Sequence, residues 1–571
     1  MKNFLKQHSG LLIHIVLLGM GMVYYLPVLF MTGLQVTPYH DGLFHISRII
    51  GLGNVWTSPV SFLNFHHNGS MVNLCYPWLT MYPSYLLYRL TGGAILSYKL
   101  SYLLLAVLTL FLSYDIMKKI SGSCLSAFVF SVLYTYSSYR FATIFRRSAF
   151  GETIAITVWL VVFYGLYHVF YGDEKKWGFL AAGMALLAYT HNLSLLIASL
   201  ITGLIFVISI WFTDRKGKRI LALIQAAVLA GILALGSLLP MFQLFHTDTL
   251  QLPGGSGQWL EESVYSPGEL ILKALRNETS TYGDGLFVFI AMVCLIVFFA
   301  VCSLKKTGDA SDRGMNFFAL FGFLITLAVT DLLPWRWIGN HTLLRQLQFA
   351  WRFNTCSTLF LLAAFAFYLP KMIRDRKIAL WIPLAVCIAA AGLHARAFLS
   401  ISREDSSRLM EDYAASGDAT SVDYAPLRAK LYRNETGAAA IEGFLLPDGE
   451  LLDPDAAEVS FSPDGTVCTM RIDIPQSEDP AVAVDIPVFR YSTQRCSVNG
   501  EPAETVMSER GSTIVSLPSG EVSEVSFSYR YTALANAAHA VSGAAAVLFA
   551  VYLVLRSRKE KRAEAYSEGR S

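Results

Sequence analysis

Four short stretches of this chain combine residue types that could move a proton or hold an anion. The first runs Tyr39-His40-Asp41-Gly42-Leu43-Phe44-His45-Ile46-Ser47-Arg48. Asp41, His45 and Arg48 stand at i, i+4 and i+7, so on a helix they share one face. A carboxylate with an imidazole and a guanidinium nearby can accept a proton or bind a cation. The same aspartate would also serve as the N-cap of an interfacial helix with a local ion pair. The second stretch is Arg146-Arg147-Ser148-Ala149-Phe150-Gly151-Glu152. Adjacent arginines suit bidentate bonding to phosphate. Glu152 would open the next helix, where the helix dipole also favours a carboxylate. The third is Thr190-His191-Asn192, a polar break in the long apolar run 177–212, which a plain helix-turn cap would equally explain. The fourth holds Arg336, His341 and Arg345, followed by Gln348-Phe349-Ala350-Trp351-Arg352-Phe353. Its arginines either line a cavity or snorkel from an aromatic belt.

The elements that must position these residues are membrane helices. Of 571 residues, 54% are hydrophobic, 13% aromatic and only 15% charged, against roughly 25% charged in an ordinary soluble domain. So few charges cannot cover a water-exposed surface. Segments of about 20 apolar residues can span a bilayer. They fall near 9–31, 97–117, 123–141, 153–172, 219–243, 285–304, 315–333, 350–369, 379–398 and 533–555. The run 177–212 crosses twice, with its break at His191, which gives about twelve spans. The basic clusters at Lys2 and Lys6, Lys118-Lys119, Lys175-Lys176, Arg215 to Arg219, Lys305-Lys306, Lys371 to Lys377 and Arg556 to Arg562 then all fall on one side. By the positive-inside rule that side is cytoplasmic, and both termini lie on it. All four polar stretches fall on the other side, where one shared cavity is expected.

Two outer segments are too long to be connections. Residues 32–99 are rich in aromatic residues and proline, and read as an interfacial loop with short helices. Residues 400–532 are acidic and Ser-rich. Val525, Phe527, Tyr529 and Tyr531 alternate with polar residues, and so do Cys468, Met470, Ile472 and Ile474, the period of half-buried strands. Asp464-Gly465 and Asn499-Gly500 read as hairpin turns. The chain therefore divides into a polytopic domain (1–399), a small extracytoplasmic β-sandwich-like domain (400–532), and a last helix with a basic tail (533–571). Cys468 and Cys496 would be the β-domain's only cysteines, and a disulfide between them is one expectation.

Several classes are excluded. The net charge of +3 offers nothing to nucleic acid. The eight cysteines form no CxxC pair or Cys/His cluster. No GxxxxGK[ST] loop is present, so ATP is not the direct driver.

A long first outer loop that opens with an acid, a second acid in the next outer loop and a C-terminal soluble domain resemble the GT-C superfamily of membrane glycosyltransferases. Protein O-mannosyltransferases, oligosaccharyltransferases and aminoarabinose transferases are among them. More closely, His40-Asp41 to Arg48, Arg147 to Glu152, His191-Asn192 and Gln348 to Phe353 resemble bacterial membrane proteins labelled 6-pyruvoyl-tetrahydropterin synthase-related. No pterin-synthase zinc site is present to justify that label. Ile486 to Tyr491, Val498-Asn499-Gly500, Leu517 to Gly520 and Ser528 to Tyr531 resemble the extracytoplasmic end of YfhO-like proteins, which are linked to lipoteichoic acid glycosylation.

The resemblance implies an all-α polytopic GT-C-like fold in a bacterial plasma membrane. The implied activity is inverting sugar transfer from a polyprenyl-phosphate-linked donor to a glycopolymer, glycolipid or protein of the envelope, at the outer face. Asp41 would be the general base and Glu152 the second catalytic acid, orienting the acceptor. His45, Arg48, Arg146, Arg147, His191, Asn192, Arg345 and Arg352 are the candidates for binding substrate or phosphate. A divalent cation, Mg or Mn, would sit on Asp41 and Glu152 if anywhere. The superfamily often pairs two acids in its first loop, whereas His40 precedes Asp41 here. Two other classes fit the same topology: a transporter or flippase of a lipid-linked or polar substrate, and a non-catalytic envelope assembly protein.

Overall fold

The computed structural model describes residues 9–30, 34–35, 41–250, 255–404, 409–410, 425–427 and 441–568. Lys2, Lys6 and His40 lie outside the described residues, as does much of 400–440. The fold is mostly helical, with a small β region near the C-terminal end.

The apolar runs become helices α1 (Ser9–Leu29), α2 (Ala94–Ser121), α3 (Cys124–Thr135), α4 (Phe150–Phe170), α5 (Gly178–Ala188), α6 (Asn192–Ser209), α7 (Lys216–Thr247), α8 (Gly285–Lys305), α9 (Arg313–Ala328), α10 (Asn354–Met372), α11 (Arg376–Glu404) and α12 (Ala533–Glu568). By length and composition, eight of the described helices can cross a membrane, and shorter apolar helices lie at Gly10–Leu26 and Arg313–Ala328. Helices α3 and α5, of 12 and 11 residues, fall below spanning length. The shortness of α5 agrees with the expectation that the first crossing within 177–212 is short. Both short helices are nonetheless largely buried. Small residues let α5 press onto α4: a Cβ on Gly165 would lie 2.4 Å from the Leu180 amide nitrogen, and one on Gly183 would lie 2.9 Å from that of Val162. Such close backbone approach is how membrane helices gain packing without a hydrophobic drive.

The basic loops gather at one end of the bundle. Arg215 pairs with Glu174 at 3.2 Å, Arg313 with Asp214 at 3.8 Å and Arg374 with Asp309 at 2.7 Å. Arg556 donates to the Lys175 carbonyl. At the opposite end lie the first long loop, with interfacial helices Gly42–Ile50 and Tyr82–Thr91, and the strands.

Those strands are β1 (Ala457–Phe461), β2 (Val467–Asp473), β3 (Ala481–Phe489), β4 (Gln494–Val498), β5 (Glu501–Pro502), β6 (Val506–Met507), β7 (Ser512–Pro518) and β8 (Val522–Tyr529). They form a five-stranded antiparallel sheet, β1-β2-β8-β4-β5, and a three-stranded one, β3-β7-β6. Alternation decides which faces are buried: Val525, Phe527 and Tyr529 point inward with Cys468, Met470 and Ile472. Asn499 and Gly500 both take positive φ, 51° and 84°, the conformation of a two-residue hairpin turn. Cys468 and Cys496 each pair with Phe527, from opposite sides of the central strand β8. Two strand spacings of about 4.8 Å separate them, beyond disulfide reach. Both are free thiols, so that expectation is corrected.

The sheets are seated on the first loop. Asn68 donates its side-chain amide to the carbonyls of Ile441 (3.1 Å) and Pro487 (2.7 Å). The Phe62 amide donates to the Gly465 carbonyl at 2.9 Å, and the Tyr531 hydroxyl to the Val55 carbonyl at 2.7 Å. Loop and strands therefore share one end of the bundle. Single cysteines placed near Asp41 and near Gly500 should both react with an impermeant maleimide in intact cells. Protection of either would contradict the orientation inferred from the basic loops.

Candidate active site

Glu152 lies in the first turn of α4, reached through a tightly bent connection. After α3 the chain makes a short helix, Ser138–Phe141, and then a π-turn over Ala142–Arg146. Such turns concentrate at functional sites. Ser148 follows with φ of +50°, a left-handed conformation that a non-glycine residue adopts at a cost of about 1 kcal/mol or more. Gln348 is held similarly at φ +64°, just before Phe349. Both motif turns are thus fixed by their surroundings against local preference.

The result is a quartet of charges from three distant stretches. Arg147 reaches Asp41 at 3.0 Å through one terminal nitrogen and Glu152 at 3.0 Å through the other. Arg352 stands 3.6 Å from the same Glu152 oxygen. The other Glu152 oxygen accepts the Tyr139 hydroxyl at 2.6 Å. The Asp41 amide also donates to the Arg147 carbonyl at 2.7 Å, which locks the first loop onto the bend. The Arg147 guanidinium lies 5.2 Å from the Trp351 ring centroid, and Trp351 stacks between Phe349 (5.0 Å) and Tyr282 (4.4 Å). Arg352 is held by donating to the Leu347 carbonyl at 2.8 Å.

Access separates the two acids. The Glu152 side chain is 3% exposed and that of Asp41 39%. Desolvation by the surrounding protein raises the Asp41 pKa above the usual carboxylate range, against the opposing pull of Arg147 and Arg352. A partly exposed carboxylate of raised basicity is suited to take a proton. Glu152, with both oxygens engaged, is suited to hold the two arginines in place.

The remaining candidates are placed as follows. His191 caps α6: its Nδ1 accepts the Ser194 amide at 3.3 Å, which leaves the neutral ring's proton on Nε2. Burial pushes its pKa down to about 3, with Glu152 pulling the other way. Tyr76 links His191 to the first loop, their rings 5.8 Å apart. Gly151 makes room for Tyr76, whose hydroxyl would lie 2.6 Å from a Cβ there. His45 packs among Phe44, Tyr76 and Phe150. Arg48 is fully buried, bonding Asn73 and the carbonyls of Tyr76 and Pro77. These bonds tie helix Gly42–Ile50 to the rest of the first loop. Asn192 likewise ties the helix break to the Cys75 carbonyl (3.2 Å) and Met241 (3.3 Å). Arg345 is exposed and enters none of the ion pairs among the described residues. Arg146 turns away from its neighbour and donates to Thr279 at 2.9 Å.

Among the described residues the donors at the quartet do not converge as a divalent-cation site would need. Arg147 fills the position between Asp41 and Glu152 that a cation would need. Among the described residues no group of three His, Cys, Asp or Glu side chains converges.

Three residues at or near the quartet's end of the bundle were not singled out in the sequence. Tyr139 lies inside an apolar run, and nothing in the sequence separates it from the other core tyrosines. Arg140, fully buried, donates to Thr157 at 3.2 Å. As a lone arginine at the end of an apolar run, it was the available signal there. Asp284 precedes α8 and accepts from Thr326 (3.0 Å), Ser357 (2.6 Å) and Thr358 (2.9 Å), joining α8, α9 and α10.

No family model matches the chain, and no curated protein matches it. Among solved structures it is similar to the arabinofuranosyltransferase AftD from Mycobacteria, over 68% of this chain and 26% of that one, at 15% identity and a TM-score of 0.41. It is similar to ArnT from Cupriavidus metallidurans bound to undecaprenyl phosphate, over 72% and 74% of the two chains, at 12% identity and a TM-score of 0.36. It is also similar to the arabinosyltransferase EmbB from Mycobacterium smegmatis, over 91% and 63%, at 11% identity and a TM-score of 0.32. The chain spans about a quarter of the length of the AftD it matches.

Proposed function

We propose that this chain is a membrane glycosyltransferase. In this reading it transfers a sugar from a polyprenyl-phosphate-linked donor to a cell-envelope acceptor at the outer face of a bacterial plasma membrane. The observation that carries it is the quartet: a partly exposed carboxylate beside two arginines, at the end of the bundle away from the basic loops. Asp41 accepts the proton of the acceptor hydroxyl as its oxygen attacks the anomeric carbon. The carbon–phosphate-oxygen bond breaks on the opposite face, so the anomeric configuration inverts. The leaving lipid phosphate needs positive charge rather than a strong acid, and Arg147 and Arg352 supply it, aimed by Glu152. Neutral His191 contributes a hydrogen bond without adding charge.

Membranes carrying the chain should move radiolabel from a lipid-linked sugar pool in organic solvent to a non-extractable or more polar acceptor. Transfer should persist in EDTA, because a guanidinium occupies the place of a cation. Activity lost to EDTA and restored only by Mg or Mn would contradict the cation-free site. No label movement with any lipid-linked sugar would contradict the transferase reading itself.

A further inference from the structure

Between α7 and α8 the chain makes a helix, Pro267–Arg276, that is closed at both ends by its own neighbours. The Ser266 hydroxyl accepts the Glu269 amide at 3.3 Å, and the Glu269 carboxylate accepts the Ser266 amide at 3.0 Å. Asn277 ends the helix at a φ of +53°. None of its ten residues is buried, although a lone helix shorter than about 12–15 residues is marginal in water. Leu270, Ile271, Ala274 and Leu275 fall on one side of it, and Glu269, Lys273 and Arg276, at i, i+4 and i+7, on the other. The apolar side meets α8 across a groove of about 200 Å³, with Leu270, Ile271 and Ala274 on one wall and Phe289, Met292 and Ile296 on the other. Ile271, Leu272 and Leu275 stay exposed.

Depth follows from helix lengths. Helix α8 has 21 residues, which at 1.5 Å per residue is about 30 Å, the thickness of the hydrocarbon layer. Its last residue, Lys305, belongs to the basic loops, so Gly285 stands at the opposite boundary of that layer. The Asn277 side chain accepts the Leu286 amide at 3.1 Å, which holds the end of helix Pro267–Arg276 at the same level. Helix α9 also starts from the basic loops, but its 16 residues reach only about 24 Å. The turn that follows, Thr330 to Leu333, therefore stands at the boundary instead of beyond it. Leu332, Trp337 and Leu343 are each at least 60% exposed there. The two segments are joined: the Asp331 amide donates to the Tyr265 carbonyl at 3.1 Å, and Arg336 pairs with Glu261 at 2.7 Å.

We propose that helix Pro267–Arg276 and the segment Leu332 to Leu343 are seated in the bilayer leaflet at this end of the bundle, and that a phospholipid acyl chain fills the groove against α8. A short helix with one apolar and one charged side lies in the plane of a membrane interface, its apolar side toward the acyl chains. The groove is continuous with the surface of α8, whose most apolar stretch is only 33% buried. The medium around that surface is lipid, and the groove walls offer an acyl chain the same apolar contact. The seated segment leads directly to Leu347, whose carbonyl holds Arg352, so contact with the bilayer steadies the loop that carries this guanidinium. The inference rests on exposure and helix length, and it stands whether or not the quartet transfers sugar.

Nanodiscs doped with a phospholipid that carries a diazirine near the end of one acyl chain provide the test. The full chain is irradiated in them, and the labelled residues are mapped by mass spectrometry. Label is expected on helix Pro267–Arg276, on Phe289 and Met292 of α8 and on Leu332 to Leu343. None is expected on the β-strands, where Val506 is an exposed apolar control. Ala274→Trp fills the groove from one wall and should abolish label at Phe289 and Met292. Label at Leu332 and Leu343 should be unchanged in that variant, which separates a filled groove from an unfolded chain. Met292→Trp, from the opposite wall, should abolish label at Leu270 and Ala274. Undecaprenyl phosphate added at equal concentration should leave the groove label in place, and its displacement would overturn the phospholipid as occupant. Groove label that persists in both tryptophan variants would remove the acyl-chain site. Label on the helix and on Leu332 to Leu343 no denser than at Val506 would contradict the membrane seat itself.

Discussion

Asp41→Asn should lower sugar transfer by about 10²- to 10⁴-fold, the range for removing a general base. The substitution keeps size and leaves an amide oxygen to accept from Arg147, so the protein should unfold at nearly its wild-type temperature. The wild-type pH profile carries the same information. Asp41 must be deprotonated to act, and its pKa is raised by desolvation. Activity should therefore fall as pH drops through a value above the ordinary carboxylate range of about 4. In Asp41→Asn the residual rate should lose that acid limb. A variant with full activity, or an unchanged acid limb, would remove Asp41 from the reaction.

Arg147→Met should cost about 3–5 kcal/mol of stability, the penalty for stripping one partner from a buried ion pair. Glu152 is 3% exposed, and the substitution would leave it with Tyr139 and a 3.6 Å contact to Arg352. Asp41 would lose its ion pair with Arg147 as well. Arg147→Lys should fall between the two, because one ammonium cannot span both carboxylates as the guanidinium fork does. Thermal unfolding in a fixed detergent would measure both. Wild-type stability in Arg147→Met would show that the quartet does not hold the first loop to the bundle.

Much of this arrangement is legible in the sequence because charge is rare in the membrane-facing parts of the chain. Asp41, Arg147, Glu152 and Arg352 stand out against apolar surroundings, and the basic loops place them at one end. The break at His191 is visible for the same reason. Pairing is not legible. Arg146 and Arg147 are adjacent and chemically identical, and only the π-turn decides which meets the carboxylates and which turns to Thr279. Arg48 looked like a ligand group because its i+7 spacing from Asp41 is real. Its partners, the carbonyls of Tyr76 and Pro77, are backbone atoms that no residue pattern advertises. In the β region alternation identified the inward faces. The strand order, which seats Cys468 and Cys496 on opposite flanks of β8, is a long-range property outside the reach of periodicity.

The most direct test of the quartet as a sugar-transfer site compares envelope glycans and glycolipids by mass spectrometry in three strains. One lacks the gene, one is complemented with wild type, and one is complemented with Asp41→Asn at equal membrane abundance. The expected result is a species smaller by one sugar residue in the deletion strain, restored to full mass by wild type and not by Asp41→Asn. Identical glycan masses in all three strains, or full restoration by Asp41→Asn, would contradict it.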